Sequence, residues 1–484
     1  MATAAHFTQG ELGLDDASTF FVALRPLRDI AALAIAFHSQ PPLFYWALHA
    51  WVGLGDTEAV LRALPLLFMV GAAVTLFTTA WLSPAARVVA GALLLLTPYS
   101  EYLTGALRPY ALSVWLSLWS SLLFIPLVTG ARRHPMAYLS YTVVTVCLAY
   151  TTSMASWVLC AHGVCAIAGL AMAAPRGGAR HAFADRTGLW LSLAAIAVLY
   201  LPYVIGVWRL QGALGHPSLA ASLAAAANPR YFVSGPLYLL SMPAGLGYLA
   251  LAAVAAALWS GVSRRDPVVG VLATMVLLQI AMTHGFLEGR SGFSFRYLAP
   301  AYPALCLLAG VGVDRMAARV RAADLGLRVF AAGALAASIV VFARAPHAPP
   351  VGAWRQVAAD LRQLGGTKFV FFDTGWDAQR LQYEVRHDAD VRVLSDPGTG
   401  WDSGGRIMTP AYVTGAIDRY TGSATMFFYQ FDPVIRADVF DRAFAPAMAR
   451  HGCTRVYQRE VPTYERSLPG DGGALLYGYA CHGA

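Results

Sequence analysis

Two adjacent carboxylates near the amino terminus are the residues best suited to acid–base chemistry. Asp15 and Asp16 open a short polar stretch, and His38 with Pro41-Pro42 closes it about one helical hairpin later. A carboxylate can take the proton of a hydroxyl that attacks another group. Adjacent residues on a helix do not face the same direction, so only one of the pair should point into a cavity. The structural alternative is that Asp15 caps a helix beginning at Ala17.

Three arginines at the ends of apolar segments could bind an anion. They are Arg108, Arg290 and Arg296. A guanidinium stays charged and can hold two phosphate oxygens at once. Each could instead extend from a helix end to the membrane surface, as long basic side chains do. His38 could orient the acid or the anion, or serve only to support the proline turn that follows it.

The composition predicts that these residues lie on a membrane protein. The chain has 484 residues, of which 57% are hydrophobic and 13% are charged, whereas soluble proteins are nearer a quarter charged. The net charge of +8 comes from short basic clusters between apolar runs, a pattern typical of membrane orientation. We therefore expect a multi-pass membrane protein without a nucleic-acid partner.

About ten apolar runs are long enough to cross a bilayer. They lie near residues 59–82, 87–103, 109–129, 135–152, 153–174, 189–208, 236–260, 268–283, 296–313 and 327–342. The arginine clusters fall in alternate connections, which places those loops in the cytoplasm and both chain ends outside. Residues 17–53 carry too many charges for a spanning helix and predict amphipathic interfacial helices instead.

The sequence divides into a membrane domain and a tail. We expect a catalytic membrane domain over residues 1–344, with an outer juxtamembrane loop at 13–58, a proline-rich linker at 345–350 and an extracytoplasmic α/β domain at 351–484. The tail predicts a helix at residues 354–364 and strands at 368–372, 391–394, 424–428, 454–458 and 474–479. Cys453 and Cys481 are the only cysteines in the tail, and in an oxidising compartment such a pair predicts a disulfide.

Five motifs recur in a fixed order along the membrane region. These are the Asp-Asp pair; His38-x-x-Pro41-Pro42-Leu43-Phe44-Tyr45; Gly55-Asp56-Thr57-Glu58-x-x-x-Arg62; Pro98 ten residues before Arg108-Pro109-Tyr110; and Arg296-Tyr297-Leu298-Ala299-Pro300-Ala301-Tyr302-Pro303. With the topology, they resemble the GT-C glycosyltransferases, in particular the bacterial group similar to protein mannosyltransferases and to the lipid A aminoarabinose transferase. The similarity covers residues 13–342.

The resemblance implies a fold and a reaction. The fold would be an α-helical polytopic GT-C-like membrane domain of about ten transmembrane helices plus outer juxtamembrane helices, followed by a C-terminal soluble α/β domain. The reaction would move a sugar from a polyprenyl-phosphate donor to an extracytoplasmic acceptor, which could be a glycan, a lipid or a protein. The protein would lie in a bacterial inner membrane as part of cell-envelope synthesis, with its tail domain in the periplasm.

The resemblance also implies roles for single residues. Asp15 matches the functional carboxylate of the family, and Asp16 takes the place of the Glu that often follows it, so we expect one of them to act as general base in an inverting transfer. The residues expected to bind the donor phosphate are Arg108, Arg296, Arg290 and His38. The residues expected to line the cavity are Pro41, Pro42, Tyr45, Tyr110 and Tyr297.

Two alternatives stay open from the sequence. The first is a transporter or flippase for a lipid-linked sugar, although internal repeats and deeply placed ionisable residues, typical of transporters, are lacking. The second is a family member that binds such a lipid without transfer, because Ala106 stands where the family commonly has Glu. No spacing of His, Cys and Asp predicts a metal site, so a divalent cation could bind only through Asp15 or Asp16.

Overall fold

The computed structural model is a helical membrane unit combined with a small α/β domain. It describes residues 12–38, 40–130, 134–177, 186–211, 228–240, 246–264, 266–287, 295–318, 353–372, 375–394, 409–421, 425–431, 439–461 and 474–481. The chain divides into two compact units. One runs from Arg25 to Pro346, and the other joins the segment ending at Leu24 to the residues from His347 onward.

The described part of the membrane unit is almost entirely helical. The bounds of its helices are α2 Leu27–His38, α3 Leu43–Val52, α4 Glu58–Phe77, α5 Pro84–Leu96, α6 Pro98–Gly105, α7 Tyr110–Val128, α8 Pro135–Ala149, α9 Ser156–Gly177, α10 Thr187–Gln211, α11 Pro229–Leu239, α12 Leu246–Arg264, α13 Pro267–Leu287 and α14 Tyr302–Ala317. Two 3₁₀ segments, Ser153–Ala155 and Phe295–Ala301, complete the described part.

Among the described residues, six helices are long and apolar enough to cross a membrane. They are Glu58–Phe77, Tyr110–Val128, Ser153–Met172, Thr187–Arg209, Pro267–Gly285 and Phe295–Ala317. Each coincides with a run predicted from the sequence. The protein is therefore a multi-pass membrane protein, as its composition predicts.

Two of the predicted spans differ in the structure. The run at 87–103 is divided at Thr97, whose hydroxyl accepts a hydrogen bond from the Ser100 amide at 3.1 Å and so begins a new helix at Pro98. The run at 236–260 is also not one helix, because α11 ends at Leu239 and α12 begins at Leu246. The predicted span at 327–342 lies outside the described residues.

Among the described helices of the membrane unit, α14 is the most buried. It packs against α5 on one side and α12 on the other, and its residues from Tyr302 to Val313 are all buried. Two glycines allow this approach: a Cβ on Gly310 would lie 3.0 Å from the carbonyl oxygen of Ala86, and one on Gly312 would overlap the carbonyl oxygen of Ala253. The backbones of three helices are therefore in direct contact.

Replacing Gly312 with Ala is expected to destabilise the membrane unit. The added methyl group can be accommodated only if α12 moves, and such overpacking costs about 1–3 kcal/mol. Thermal unfolding in detergent measures the effect as a lower midpoint temperature. Gly270→Ala is the matched control on α13, where an added Cβ would meet no atom within 4 Å. Equal midpoints for the two variants would contradict the close packing of α12 on α14.

In the described part of the second unit, five strands form one sheet. The elements of this unit are α1 Leu14–Ala23, α15 Ala353–Gln363, β1 Thr367–Phe372, α16 Gly375–Glu384, β2 Val391–Leu394, α17 Pro410–Tyr420, β3 Thr425–Phe431, a π-helical turn Phe440–Phe444 with α18 Ala445–Arg450, β4 Thr454–Val461 and β5 Ala474–Cys481. The strand order is β2-β1-β3-β5-β4, with β2, β1 and β3 parallel and the other pairs antiparallel.

The sequence predicts this domain well. All five described strands and the helix α15 lie where the pattern of apolar residues places them. Gly366, between α15 and β1, has a positive φ of 77°, a conformation that favours glycine. The disulfide is confirmed, because Cys453 and Cys481 are bonded at the end of the β4–β5 pair. The sheet is covered on both faces, by α15 and α16 on one and by α17 and α18 on the other.

Lys368, the only lysine of the chain, is buried in β1 with 1% of its surface exposed. Its ammonium group donates to the carboxylate of Asp390, which precedes β2, and its backbone amide donates to the Asp390 carbonyl at 2.8 Å. The hydrogen bond from Lys368 holds the pKa of the Asp390 carboxyl below its usual value. The pair therefore joins β1 to β2 by both main chain and side chain.

Removing the Asp390 carboxylate should destabilise the domain more than removing the Lys368 ammonium group that it neutralises. Asp390→Asn leaves a buried ammonium without its counterion, and we expect a loss of about 2 kcal/mol, whereas Lys368→Met should cost less. Because the folded-state pKa of Asp390 is lowered, its stabilising contribution is complete above about pH 4 and disappears as the pH falls further.

Acid unfolding of this domain, followed by near-ultraviolet circular dichroism of the full chain, measures both effects. Lys368→Met should weaken the pH dependence below about pH 4. If Lys368→Met were the more destabilised variant at neutral pH, an unpaired buried ammonium would not be the main cost of breaking the pair.

Candidate functional site

The acidic pair lies in the first turn of α1. The helix begins at Leu14 and follows Gly13, whose extended backbone makes it the capping residue. The side chain of Asp16 returns to the helix start, where its Oδ2 accepts a hydrogen bond from the Gly13 amide at 3.3 Å. The capping role considered for Asp15 is thus wrong in its residue and its helix start. Asp16 supports the helix start, and both carboxylates lie at the positive end of the helix dipole.

Arg108 lies in the turn between α6 and α7. Only 6% of its surface is exposed, and Pro109 and Tyr110 follow it at the start of α7. Proline is suited to this place because its missing amide hydrogen would have no partner in the first helical turn. The turn therefore holds a guanidinium at a fixed position in the buried part of the membrane unit.

Arg296 lies in the 3₁₀ segment Phe295–Ala301. Its Nη2 donates to the hydroxyl of Tyr297 at 3.1 Å, and the guanidinium lies 5.1 Å from the centre of the Tyr297 ring. Two neighbouring helices hold the backbone of this segment. The Gln279 side chain donates a hydrogen bond to the Tyr297 carbonyl at 3.0 Å, and the Ser117 hydroxyl donates one to the Pro300 carbonyl at 2.6 Å. Arg296 is therefore supported by residues of α7 and α13.

One set of aromatic residues, which we call the aromatic cluster, connects the two arginine turns. Its members are Tyr99, Tyr102, Tyr110, Tyr238 and Phe295. The Tyr99 ring contacts Tyr102 and Tyr238, with centroids 6.4 and 5.9 Å apart, and Tyr102 in turn stacks on Tyr110 at 6.4 Å. The Tyr99 hydroxyl donates to the Phe295 carbonyl at 3.1 Å, and Phe295 stacks on Tyr238 at 3.9 Å. The structure thus brings the segment of Arg108 and Tyr110 and the segment of Arg296 and Tyr297 to one end of the membrane unit.

The proline segment lies at the same end. Pro41, Pro42 and Tyr45 are buried, and the amide after the prolines donates to the Tyr150 carbonyl at 2.9 Å. The Gln40 side chain accepts a hydrogen bond from the Ser153 amide at 3.4 Å. That amide opens the 3₁₀ turn Ser153–Ala155, which packs against the segment of Arg296. Arg290 and the side chain of His38 lie outside the described part of the chain, so their predicted roles stay predictions.

The membrane unit also contains an apolar groove. It encloses about 450 Å³ between α11, α12, α13 and α14, and its lining includes Phe232, Leu237, Val254, Ile280 and Leu308. Helix α11 joins the two features, because Tyr238 belongs to the cluster while the preceding Leu237 lines the groove. Exposed apolar side chains at its rim, such as Tyr248 with 71% exposure, show that the groove is open to the surroundings.

The described residues contain no group of three or more His, Cys, Asp or Glu side chains arranged to hold a metal ion. A divalent cation at Asp15 or Asp16 therefore stays a prediction of the sequence.

Sequence reasoning missed the aromatic cluster except for Tyr110. Tyr99 and Tyr102 lie three residues apart on α6, a spacing that puts them on one helix face, and this was the available signal. Tyr238 and Phe295 carry no such pattern, because they meet only through the packing of α11 on the 3₁₀ segment. Tyr302 belongs to the motif that begins at Arg296. Its hydroxyl forms a hydrogen bond with the Thr97 hydroxyl at 2.6 Å, which connects the start of α14 to the helix break before α6.

The fold is similar to that of ArnT from Cupriavidus metallidurans. The structure of ArnT in the apo state is 14% identical in sequence and has a TM-score of 0.59, with 99% of this chain and 95% of ArnT covered. The structure of ArnT bound to undecaprenyl phosphate is 12% identical with a TM-score of 0.57, and the match covers 99% and 96% of the two chains. The GT-C-like fold predicted from the sequence motifs is thereby confirmed. No family model and no curated protein matches the sequence significantly.

Proposed function

We propose that this chain is an integral membrane glycosyltransferase that moves a sugar from a polyprenyl-phosphate donor to an extracytoplasmic acceptor. The observation that carries the proposal is the joint position of two arginine turns and an apolar groove. The aromatic cluster joins the segment that follows Arg108 to the segment that contains Arg296, and α11 contributes Tyr238 to the cluster and Leu237 to the groove. A polyprenyl phosphate has the matching chemistry, with one anionic head and one long apolar chain.

The lipid carrier would bind through both of its parts. Its phosphate would be held by Arg108 and Arg296, with Arg290 and His38 as further ligands, because guanidinium groups bind phosphate oxygens in pairs. Its isoprenoid chain would lie in the groove, where apolar contact replaces contact with membrane lipid. The similar fold of ArnT in a complex with undecaprenyl phosphate supports this choice of lipid.

The reaction would be a direct displacement at the anomeric carbon. The acceptor hydroxyl oxygen forms a bond to that carbon, and the bond from carbon to the phosphate oxygen breaks on the opposite face, which inverts the configuration. The hydroxyl proton passes to an Asp carboxylate acting as general base. The electron pair of the broken bond stays on the phosphate, where the arginines stabilise the developing negative charge.

Asp15 is the better candidate for the base. Asp15 matches the functional carboxylate of the glycosyltransferases that the sequence motifs resemble. The Oδ2 of Asp16, the next residue, accepts a hydrogen bond from the Gly13 amide at the helix start. Asp15 is one residue earlier and about 100° away around the helix axis. The helix dipole favours the ionised form of both side chains, which is the form that accepts a proton.

The remaining residues would shape the cavity. Pro41, Pro42 and Tyr45 are buried beside the turn at Ser153, and Tyr110 and Tyr297 accompany the two arginines. The α/β domain would lie outside the cytoplasm, in a bacterial periplasm. Its Cys453–Cys481 disulfide supports this side, since such bonds persist in oxidising compartments.

The test is sugar transfer by the purified full-length protein in proteoliposomes. A panel of radiolabelled polyprenyl-phosphate sugars would be supplied with cell-envelope glycans, lipids and proteins as acceptors. We expect label to pass to one acceptor class and free polyprenyl phosphate to appear in equal amount. Tight binding of a donor without transfer to any acceptor would reject the enzyme in favour of a lipid-sugar binding protein, and movement of the donor between leaflets would indicate a flippase.

A further inference from the structure

The helix that carries the acidic pair is a part of the α/β domain, although the membrane unit separates the two in sequence. Helix α1, up to Leu24, groups with the residues from His347 onward, whereas Arg25 and the helices after it belong to the membrane unit. Within this unit α1 packs against α16. The domain is therefore assembled from two segments, one before and one after the membrane unit.

The contact between the two helices is aromatic. The rings of Phe20 on α1 and Tyr383 on α16 meet edge to face, with centroids 5.2 Å apart and planes at 89°. Each of the two side chains has only 1% of its surface exposed. Ala17 and Ala23, three residues to either side of Phe20, are fully buried as well. Phe20, Ala17 and Ala23 therefore form the buried face of α1.

Asp15 lies on a different face of the same helix. Five residues separate it from Phe20, which corresponds to about 140° around the axis, whereas Asp16 lies four residues away and only about 40° from it. A contact at Phe20 therefore fixes the rotation of α1 without covering the direction in which Asp15 extends.

Helix α16 is itself firmly held. The Arg386 guanidinium lies 3.9 Å from the centre of the Tyr383 ring, and its Nη1 donates to the Tyr383 carbonyl at 2.6 Å. From α15, Arg355 pairs with the Glu384 carboxylate at 3.5 Å and Arg362 donates to the Glu384 carbonyl at 2.6 Å. Tyr383 therefore belongs to a platform that includes α15 and, through the core below it, the sheet.

We propose that this platform positions the proposed catalytic carboxylate, with Phe20 and Tyr383 as the positioning residues. The kinetic part of this inference rests on the proposed function, whereas the docking of α1 on α16 does not. The α/β domain is then a working part of the transferase, because it sets the direction of Asp15 through a contact that never touches the substrate. A carboxylate displaced by about 1 Å loses of the order of 100-fold in rate.

The experiment uses the full-length protein in nanodiscs with four variants: Phe20→Ala, Tyr383→Ala, the double variant and Tyr383→Phe. Hydrogen exchange of residues 14–23 reports the docking, and kcat and KM for the donor report the chemistry. We expect both Ala variants to raise exchange in α1, to lower kcat about 10- to 100-fold and to leave the donor KM within about 3-fold. The double variant should be no worse than either single one, and Tyr383→Phe should restore both readouts.

Tyr420→Ala is the matched control. Tyr420 stacks on Phe369 at 4.5 Å on the opposite face of the sheet, so its truncation removes an aromatic contact of the same domain without touching α16. Exchange in β1, β3 and β5 shows in every variant whether the domain itself is folded. We expect Tyr420→Ala to leave the exchange of residues 14–23 and kcat unchanged.

Two results would overturn the inference. Unchanged exchange in α1 after loss of Tyr383 would show that α16 does not hold the helix. Raised exchange with an unchanged kcat, in a wild type that transfers sugar, would show that the position of α1 does not set the rate. A wild type that transfers nothing would instead reject the proposed function and with it the kinetic part, and the exchange data would still decide the docking.

Discussion

Asp15→Asn is expected to lower the turnover of sugar transfer by about 10²- to 10⁴-fold, the usual contribution of a general base. Asn has the size of Asp and keeps the first turn of α1 intact, but it cannot take the proton of the acceptor hydroxyl. Donor binding depends on the phosphate and the apolar chain, so the KM for the donor should stay within a few-fold. Single-turnover transfer from a radiolabelled donor measures the chemical step directly.

Asp16 provides the matched control, because it is adjacent, acidic and in the same helical turn. Asp16→Asn keeps an oxygen that can accept the hydrogen bond from the Gly13 amide, so we expect transfer within about 10-fold of wild type. Asp16→Ala removes that bond and should cost about 0.5–2 kcal/mol of local helix stability. A large loss in Asp16→Asn with normal turnover in Asp15→Asn would exchange the two roles. Normal turnover in both would leave the pair as a structural feature of the helix start.

The local patterns of the sequence were sufficient for most elements. Periodic apolar residues predicted the six long membrane helices and all five described strands. A segment that is buried on one face or on all sides shows a regular pattern of apolar residues in its own sequence. The breaks inside predicted spans were harder. At Thr97-Pro98 the chain has both a helix-capping residue and a proline in the first helical turn, which together indicate a helix start. Hydropathy averaged over a whole span does not detect such a short signal.

The site could be predicted only in parts. Arg108 and Arg296 are far apart in sequence, and the motifs that contain them indicate function without giving the cluster that joins them. The grouping of α1 with the α/β domain was not predicted at all, since the whole membrane unit separates Phe20 from Tyr383 in the sequence. Patterns with periods of two or 3.6 residues carry no information on such pairs.

Arg296→Ala is expected to lower kcat/KM for the donor by about 10²- to 10³-fold, as expected for loss of one preorganised group that stabilises transition-state charge. The side chain sits on a segment fixed by Gln279 and Ser117, so the backbone should keep its place when the guanidinium is removed. Arg296→Lys should recover only part of the loss, because an ammonium keeps the charge but cannot bind two phosphate oxygens in one plane. Initial rates over a range of donor concentrations measure the effect.

Inhibition by polyprenyl phosphate, the expected product, distinguishes two roles of Arg296: binding the phosphate or supporting the structure. If Arg296 binds the phosphate, its loss should raise the inhibition constant of this lipid and leave binding of an uncharged polyprenol unchanged. Arg264→Ala is the matched control, because Arg264 is exposed at the end of α12 and lies in no motif. Equal weakening of both lipids by Arg296→Ala would mean that the residue shapes the groove. In that case the cation–π contact with Tyr297 would be its main role, and the leaving phosphate would depend on Arg108.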